Sequence, residues 1–179
     1  MLALLRSLTA SDWEKPTLAP VWQVRDVAAH ILDSDLRKLS AYRDGFVPRP
    51  DGDISTFEGL TAFLNELNAT WTQAARRLSP RVLIDLLGLS GPAVAELLRS
   101  LPPNGTSLFP VSWAGESRSE NWLDVGREYT ERWHHQMQIR IAVGADPLLQ
   151  RRWAHPVFDL SMRALPRAWA EVSAPDGAA

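Results

Sequence analysis

The chain has 179 residues, of which 45% are apolar and 22% charged, and its formal net charge is −2. That length suits one domain with a proper core and is short for two, and the near-neutral balance carries no field that would draw nucleic acid or anionic lipid. Cysteine is absent, which excludes a disulfide framework, a thiolate metal site and a cysteine nucleophile, so any thiol chemistry needs a thiol brought in by a cosubstrate.

The apolar start Met1 to Leu5 is too short for a signal peptide or a membrane span, so the expectation is a cytoplasmic protein. Residues 1–8 read as a turn or two of helix, ended by Thr9-Ala10-Ser11-Asp12-Trp13, and Pro16 and Pro20 hold an extended connection. A helix is expected over 21–42, with Val24, Val27, Ala28, Ile31, Leu32, Leu36 and Leu39 as its apolar stripe and Gln23 with Asp26 as a weakened capping box. His30 falls on the opposite face, with Asp26, Asp33, Ser34 and Arg37. Residues 44–54 are a loop by their Pro, Gly and Asp content.

Ser55 and Glu58 form a capping-box pair for a helix running to about Leu78. Ser79-Pro80 starts another helix, with a kink expected between Gly88 and Pro92 and an end near Leu101. Pro102 to Thr106 is a turn, and the apolar run Leu108 to Trp113 is expected to be extended. A helix of about six turns follows from Asn121 to Arg140, ending by Gly144. The last helix is expected from about Pro156 to Val172, with a kink or restart at Pro166, and 173–179 as a flexible tail. Four long helices, no alternating strand pattern and eight tryptophans point to an all-α antiparallel bundle with aromatic packing between helices.

Glu131 and His135 stand four residues apart, the spacing at which a helix presents two ligands to one metal ion. A carboxylate and an imidazole both suit a divalent cation, but two ligands are not a site, and a third must come from elsewhere. On a helical wheel Trp122, Val125, Tyr129, Trp133 and Met137 share one side, while Asp124, Glu131, His135 and Gln138 fall on the other. Periodicity alone leaves Glu131, His135 and His30 on polar faces turned to solvent; the competing reading is that two such faces meet in a bundle. His134 is a rival to His135, although the four-residue register favours His135. His155 reads as a surface residue.

The segments Leu8 to Trp13 with Pro16-Thr17, Trp22 to His30, and Glu131-Arg132-Trp133-His134-His135 with Ile139-Arg140 together resemble the N-terminal domain of mycothiol-dependent maleylpyruvate isomerases, part of the DinB-like superfamily that also includes bacillithiol-dependent transferases. The resemblance implies an up-down-down-up four-helix bundle over residues 1–172, with short extra helices. It also implies a divalent metal, zinc first and nickel as the alternative, bound by His30, Glu131 and His135. Asp33, one turn from His30, is the candidate general base or outer partner, against a plain reading as a solvated helix residue.

Three departures stand out. Val21 and Gln23 flank Trp22 where relatives carry Gly and Ser or Thr, Gln138 stands where an Asp is usual, and the isomerases' sterol-carrier-like C-terminal domain would begin about where this chain stops. Most of the relatives' first helix is also expected to be missing or supplied by a partner chain. The implied function is transferase or isomerase chemistry with a small thiol of the mycothiol or bacillithiol type and an electrophile. The alternative is a non-catalytic metal-binding bundle with a stress-related or interaction role, pairing as a homodimer through an exposed aromatic face.

Overall fold

Thr9 illustrates how local hydrogen bonding decides the elements of this chain. After α1 (Leu2–Ser7), the Thr9 N–H donates to the Asp12 carboxylate at 2.9 Å and the Thr9 hydroxyl accepts from the Asp12 N–H at 3.3 Å. This reciprocal cap starts a second short helix, α2 (Ala10–Trp13), where a break was expected. Ser, Thr and Asp end one helix and begin the next by the same side-chain bonds.

The structure is a computed structural model that describes residues 1–170. Among the described residues it contains helices, turns and two isolated bridges, Pro16 with Gln23 and Thr106 with Glu120, and no strand. None of the described helices is long and apolar enough to cross a membrane. The contacts divide the chain into two units, residues 1–100 with 134–147, and 101–133 with the residues from 148 on.

In the first unit, α3 (Val24–Lys38) begins three residues later than expected. The Thr17 N–H donates to the Trp22 carbonyl at 3.0 Å, which holds 17–22 as a turn, and the Asp26 carboxylate accepts the Gln23 N–H at 3.1 Å. A π-helical turn, Leu39–Arg43, closes the element. The expected apolar stripe is buried except for Leu36, which is 39% exposed. The face expected to meet water is also largely covered: Asp26 and Asp33 are buried, and so is Asp35.

Helix α4 (Phe57–Ala75) is capped by Thr56 and not by the Ser55 and Glu58 pair. The Thr56 hydroxyl accepts the Gly59 N–H at 3.0 Å, while the Ser55 N–H donates to Asp53 at 2.8 Å. A Cβ on Gly59 would lie 1.9 Å from the Asp53 carbonyl oxygen, so only glycine allows this approach. The Trp71 indole N–H donates to the Ala29 carbonyl at 2.7 Å and ties α4 to α3. Helix α5 (Pro80–Ser100) runs unbroken through the Gly88 to Pro92 segment, packs against α3, and buries Leu83, Leu87 and Val94. Its Ser90 hydroxyl donates to the Asp35 carboxylate at 2.6 Å.

In the second unit, the Pro102 to Thr106 turn is closed by the Gly105 N–H donating to the Pro102 carbonyl at 2.9 Å. The apolar run Leu108 to Trp113 forms no strand and leads into a 3-10 turn, Ser112–Ala114. Val111 donates its N–H to the Ser119 hydroxyl at 2.8 Å, so the segment folds on itself and pairs with no neighbour as a strand. Helix α7 (Arg151–Ser161) starts five residues before the expected Pro156, which it carries inside. A 3-10 turn, Met162–Ala164, and α8 (Leu165–Ala168), with Pro166 in its first turn, follow. Val172 and the expected tail 173–179 lie outside the described residues.

Candidate metal centre

Helix α6 (Asn121–Val143) departs from the expectation for its faces at most positions of the polar side. On the polar side Asp124, His135 and Gln138 are buried while Glu131 is exposed, and the aromatic side is half-buried. The aromatics of that side are held by their polar edges: the Tyr129 hydroxyl donates to the Trp153 carbonyl at 2.9 Å and the Trp133 indole N–H to the Leu148 carbonyl at 3.0 Å. An amphipathic ring satisfied in this way can sit at a wet boundary and leave the covered face to polar residues.

His135 lies on that covered face, and the π-edge of one imidazole meets the other: the ring centroids of His30 and His135 are 4.7 Å apart at 69°. Trp22, which the chain presents from the turn before α3, lies 4.8 Å from His30 and 6.1 Å from His135. Glu131 precedes His135 by one turn of the same unbroken helix. One ligand atom each from His30, Glu131 and His135 lies within 4.8 Å of the other two.

Four-coordinate zinc at bond lengths of about 2.1 Å needs ligand atoms about 3.4 Å apart. A spread of 4.8 Å exceeds that separation by about 1.4 Å at most, and two imidazoles with one carboxylate are a donor set suited to a divalent ion. The residues present therefore fit such a group. His135 is further oriented by Gln138, whose side-chain oxygen is 2.9 Å from Nδ1.

The other sequence candidates lie elsewhere. His134 is exposed, its ring 5.6 Å from that of His135, and it contacts the Gln138 amide and is not in the three-residue cluster. His155 is exposed on α7. Asp33 is not solvated: it is 7% exposed and pairs with the Arg37 guanidinium at 2.9 Å. Burial pushes its carboxyl above the ordinary aspartate value, against the opposing pull of Arg37. Trp22 is the residue that spacing arguments missed; its only signal was its place at the head of the segment ending in His30.

Residues 1–140 match the mycothiol maleylpyruvate isomerase N-terminal domain. The chain belongs to that family. The matched span takes in α1 to α5, most of α6 and all three residues of the cluster, and it indicates a mycothiol-related role. No curated protein and no solved structure matches the chain.

Proposed function

We propose that His30, Glu131 and His135 bind a divalent cation, zinc before nickel, and that the chain is an enzyme joining a small thiol of the mycothiol or bacillithiol type to transferase or isomerase chemistry on an electrophile. The observation that carries this reading is the convergence of the three donor atoms within 4.8 Å, inside the part of the chain that matches the family. A divalent ion with three protein ligands and one open position lowers the pKa of a thiol or water placed there.

The chain's own residues supply the setting. The Trp22 indole, its centroid 4.8 Å from the His30 ring and 6.1 Å from the His135 ring, gives both imidazoles an apolar neighbour. Gln138 orients His135, and Asp33, one turn from His30 and with a raised affinity for protons, is the candidate base. In this reading α3, α4, α5 and α6 are the four members of an up-down-down-up bundle, and the protein works in the cytoplasm. The second reading, a non-catalytic metal-binding bundle that pairs with its own copy, keeps the same three ligands and lacks turnover.

Metal analysis of protein purified without chelator tests the site. One equivalent of zinc or nickel is expected in the wild type and none in His30→Ala or His135→Ala; a metal-free, folded wild type that takes up neither ion overturns the reading. Thiol consumption with an electrophile separates the two functions: a metal-loaded protein with no rate above background leaves the non-catalytic bundle.

A further inference from the structure

We infer that His134, outside the three-residue cluster, sets the tautomer of His135 through the Gln138 amide. His135 Nδ1 is 2.9 Å from Gln138 Oε1, and Gln138 Nε2 is 3.0 Å from His134 Nε2. His135 and Gln138 are buried and His134 is exposed, so the chain of contacts runs from a covered ring to one that water reaches.

An amide oxygen only accepts and an amide nitrogen only donates, whereas each neutral imidazole has one N–H and one bare nitrogen. With the Gln138 oxygen toward His135, Nδ1 of His135 carries the hydrogen and donates it, and its Nε2 is bare. The Gln138 N–H then donates to His134, whose Nε2 must be bare and whose hydrogen therefore sits on Nδ1. If the amide turns over, every role reverses: His135 holds its hydrogen on Nε2 and has no lone pair there for a cation, and His134 Nε2–H donates to the amide oxygen. The two rings are thus locked to the same tautomer, both Nδ1–H or both Nε2–H, and only the first presents His135 to the cluster. His134 is a positioning residue in this arrangement, acting on His135 without touching the cluster.

The link to metal binding rests on the proposed function, but the tautomer lock does not, and the test keeps them apart. Nitrogen-15 NMR of the cation-free protein, taken well above the ordinary imidazole pKa of about 6.5, is expected to show both His134 and His135 as Nδ1–H. In Gln138→Glu the carboxylate accepts from both rings, so His135 stays Nδ1–H while His134 switches to Nε2–H. In His134→Ala the amide loses its anchor and His135 populates both tautomers.

A wild-type His135 in the Nε2–H form, or a His134 that ignores the Gln138→Glu change, overturns the inference. Zinc competition with a chelator supplies the second measurement: affinity falls about 10- to 100-fold in Gln138→Leu, as for other partners of ligand histidines, falls less in His134→Ala, and is retained in Gln138→Glu. Unchanged affinity in both Gln138→Leu and His134→Ala overturns the inferred effect of His134 on the cation site while leaving the metal site intact. A wild type that shows the expected tautomers and binds no zinc refutes the metal reading and leaves the lock standing.

Discussion

Two long helices of the first unit, α3 and α4, use the same alphabet to opposite ends. Ten of the 15 residues of α3 are buried, against two of the 19 of α4. Helix α4 behaves as an ordinary amphipathic element: Leu60, Phe63 and Leu67 are part-covered, Leu64 is 40% exposed, and the Trp71 indole anchors it to α3. Helix α3 is covered nearly all round, and each buried carboxylate on it has a fixed partner. Asp26 accepts from the Gln23 N–H and from Arg76 Nε and Nη2, Asp33 pairs with Arg37, and Asp35 accepts from Ser90. A covered helix with partnered charges holds its side chains still, and α3 is the helix that carries His30.

The largest test of that contrast removes one leucine from each helix. Leu32→Ala, at a fully buried site on α3, is expected to cost about 3 kcal/mol in urea unfolding, within the usual range for such truncations. Leu64→Ala on α4 is expected to cost less than about 1 kcal/mol. Equal losses would show that α4 is held as firmly as α3.

A smaller effect comes from Asp33. Its carboxyl sits above the ordinary value near 3.8, chiefly through burial, so its favourable contribution is full below that value and is lost as pH rises through the folded-state value. Asp33→Asn should therefore raise the unfolding midpoint at pH 7, with the gain disappearing as the pH falls toward 4. A midpoint lowered at pH 7 would mean that the Arg37 pairing outweighs the desolvation.

The smallest effect is at α2, on the surface. Hydrogen bonds from Lys15, and then from Thr9, hold the Asp12 carboxyl down to about 2 from 3.8. Its contribution is present above 3.8 and lost as pH falls through about 2, so Asp12→Asn should lower Tm slightly at pH 7, with the difference shrinking as the pH falls through about 2 and gone below it. A pH-independent difference would assign the effect to helix capping alone.

Much of the site was legible in the sequence and part of it was inverted. The four-residue spacing of Glu131 and His135 follows from helix geometry alone, and so was readable without any fold. The faces were not. Hydropathy assigns Trp122, Tyr129 and Trp133 to the interior and Asp124, Glu131, His135 and Gln138 to solvent, yet Asp124, His135 and Gln138 are buried, the aromatics are only half-buried, and Glu131 meets water as its face predicts. Periodicity rules presuppose that the covered face is the apolar one, and they fail where a covered face is reserved for polar chemistry. On α3 the face of His30 departs in the same way, since Asp26 and Asp33 are buried through partners that the sequence does not show, while His30 itself is half-buried beside His135. The caps at Thr9 and Thr56 were missed by a residue or an element because several Ser, Thr and Asp side chains compete for each helix start.

Pro92 has a consequence for how α5 comes apart. Having no amide hydrogen, it removes one rung from the middle of the helical ladder, between the core-packed Leu83 and Leu87 and the distal turns that end at Ser100. Fraying that begins at Ser100 meets an interruption before it reaches the leucines, so the break acts as a bulkhead that confines local melting to the outer half of the helix.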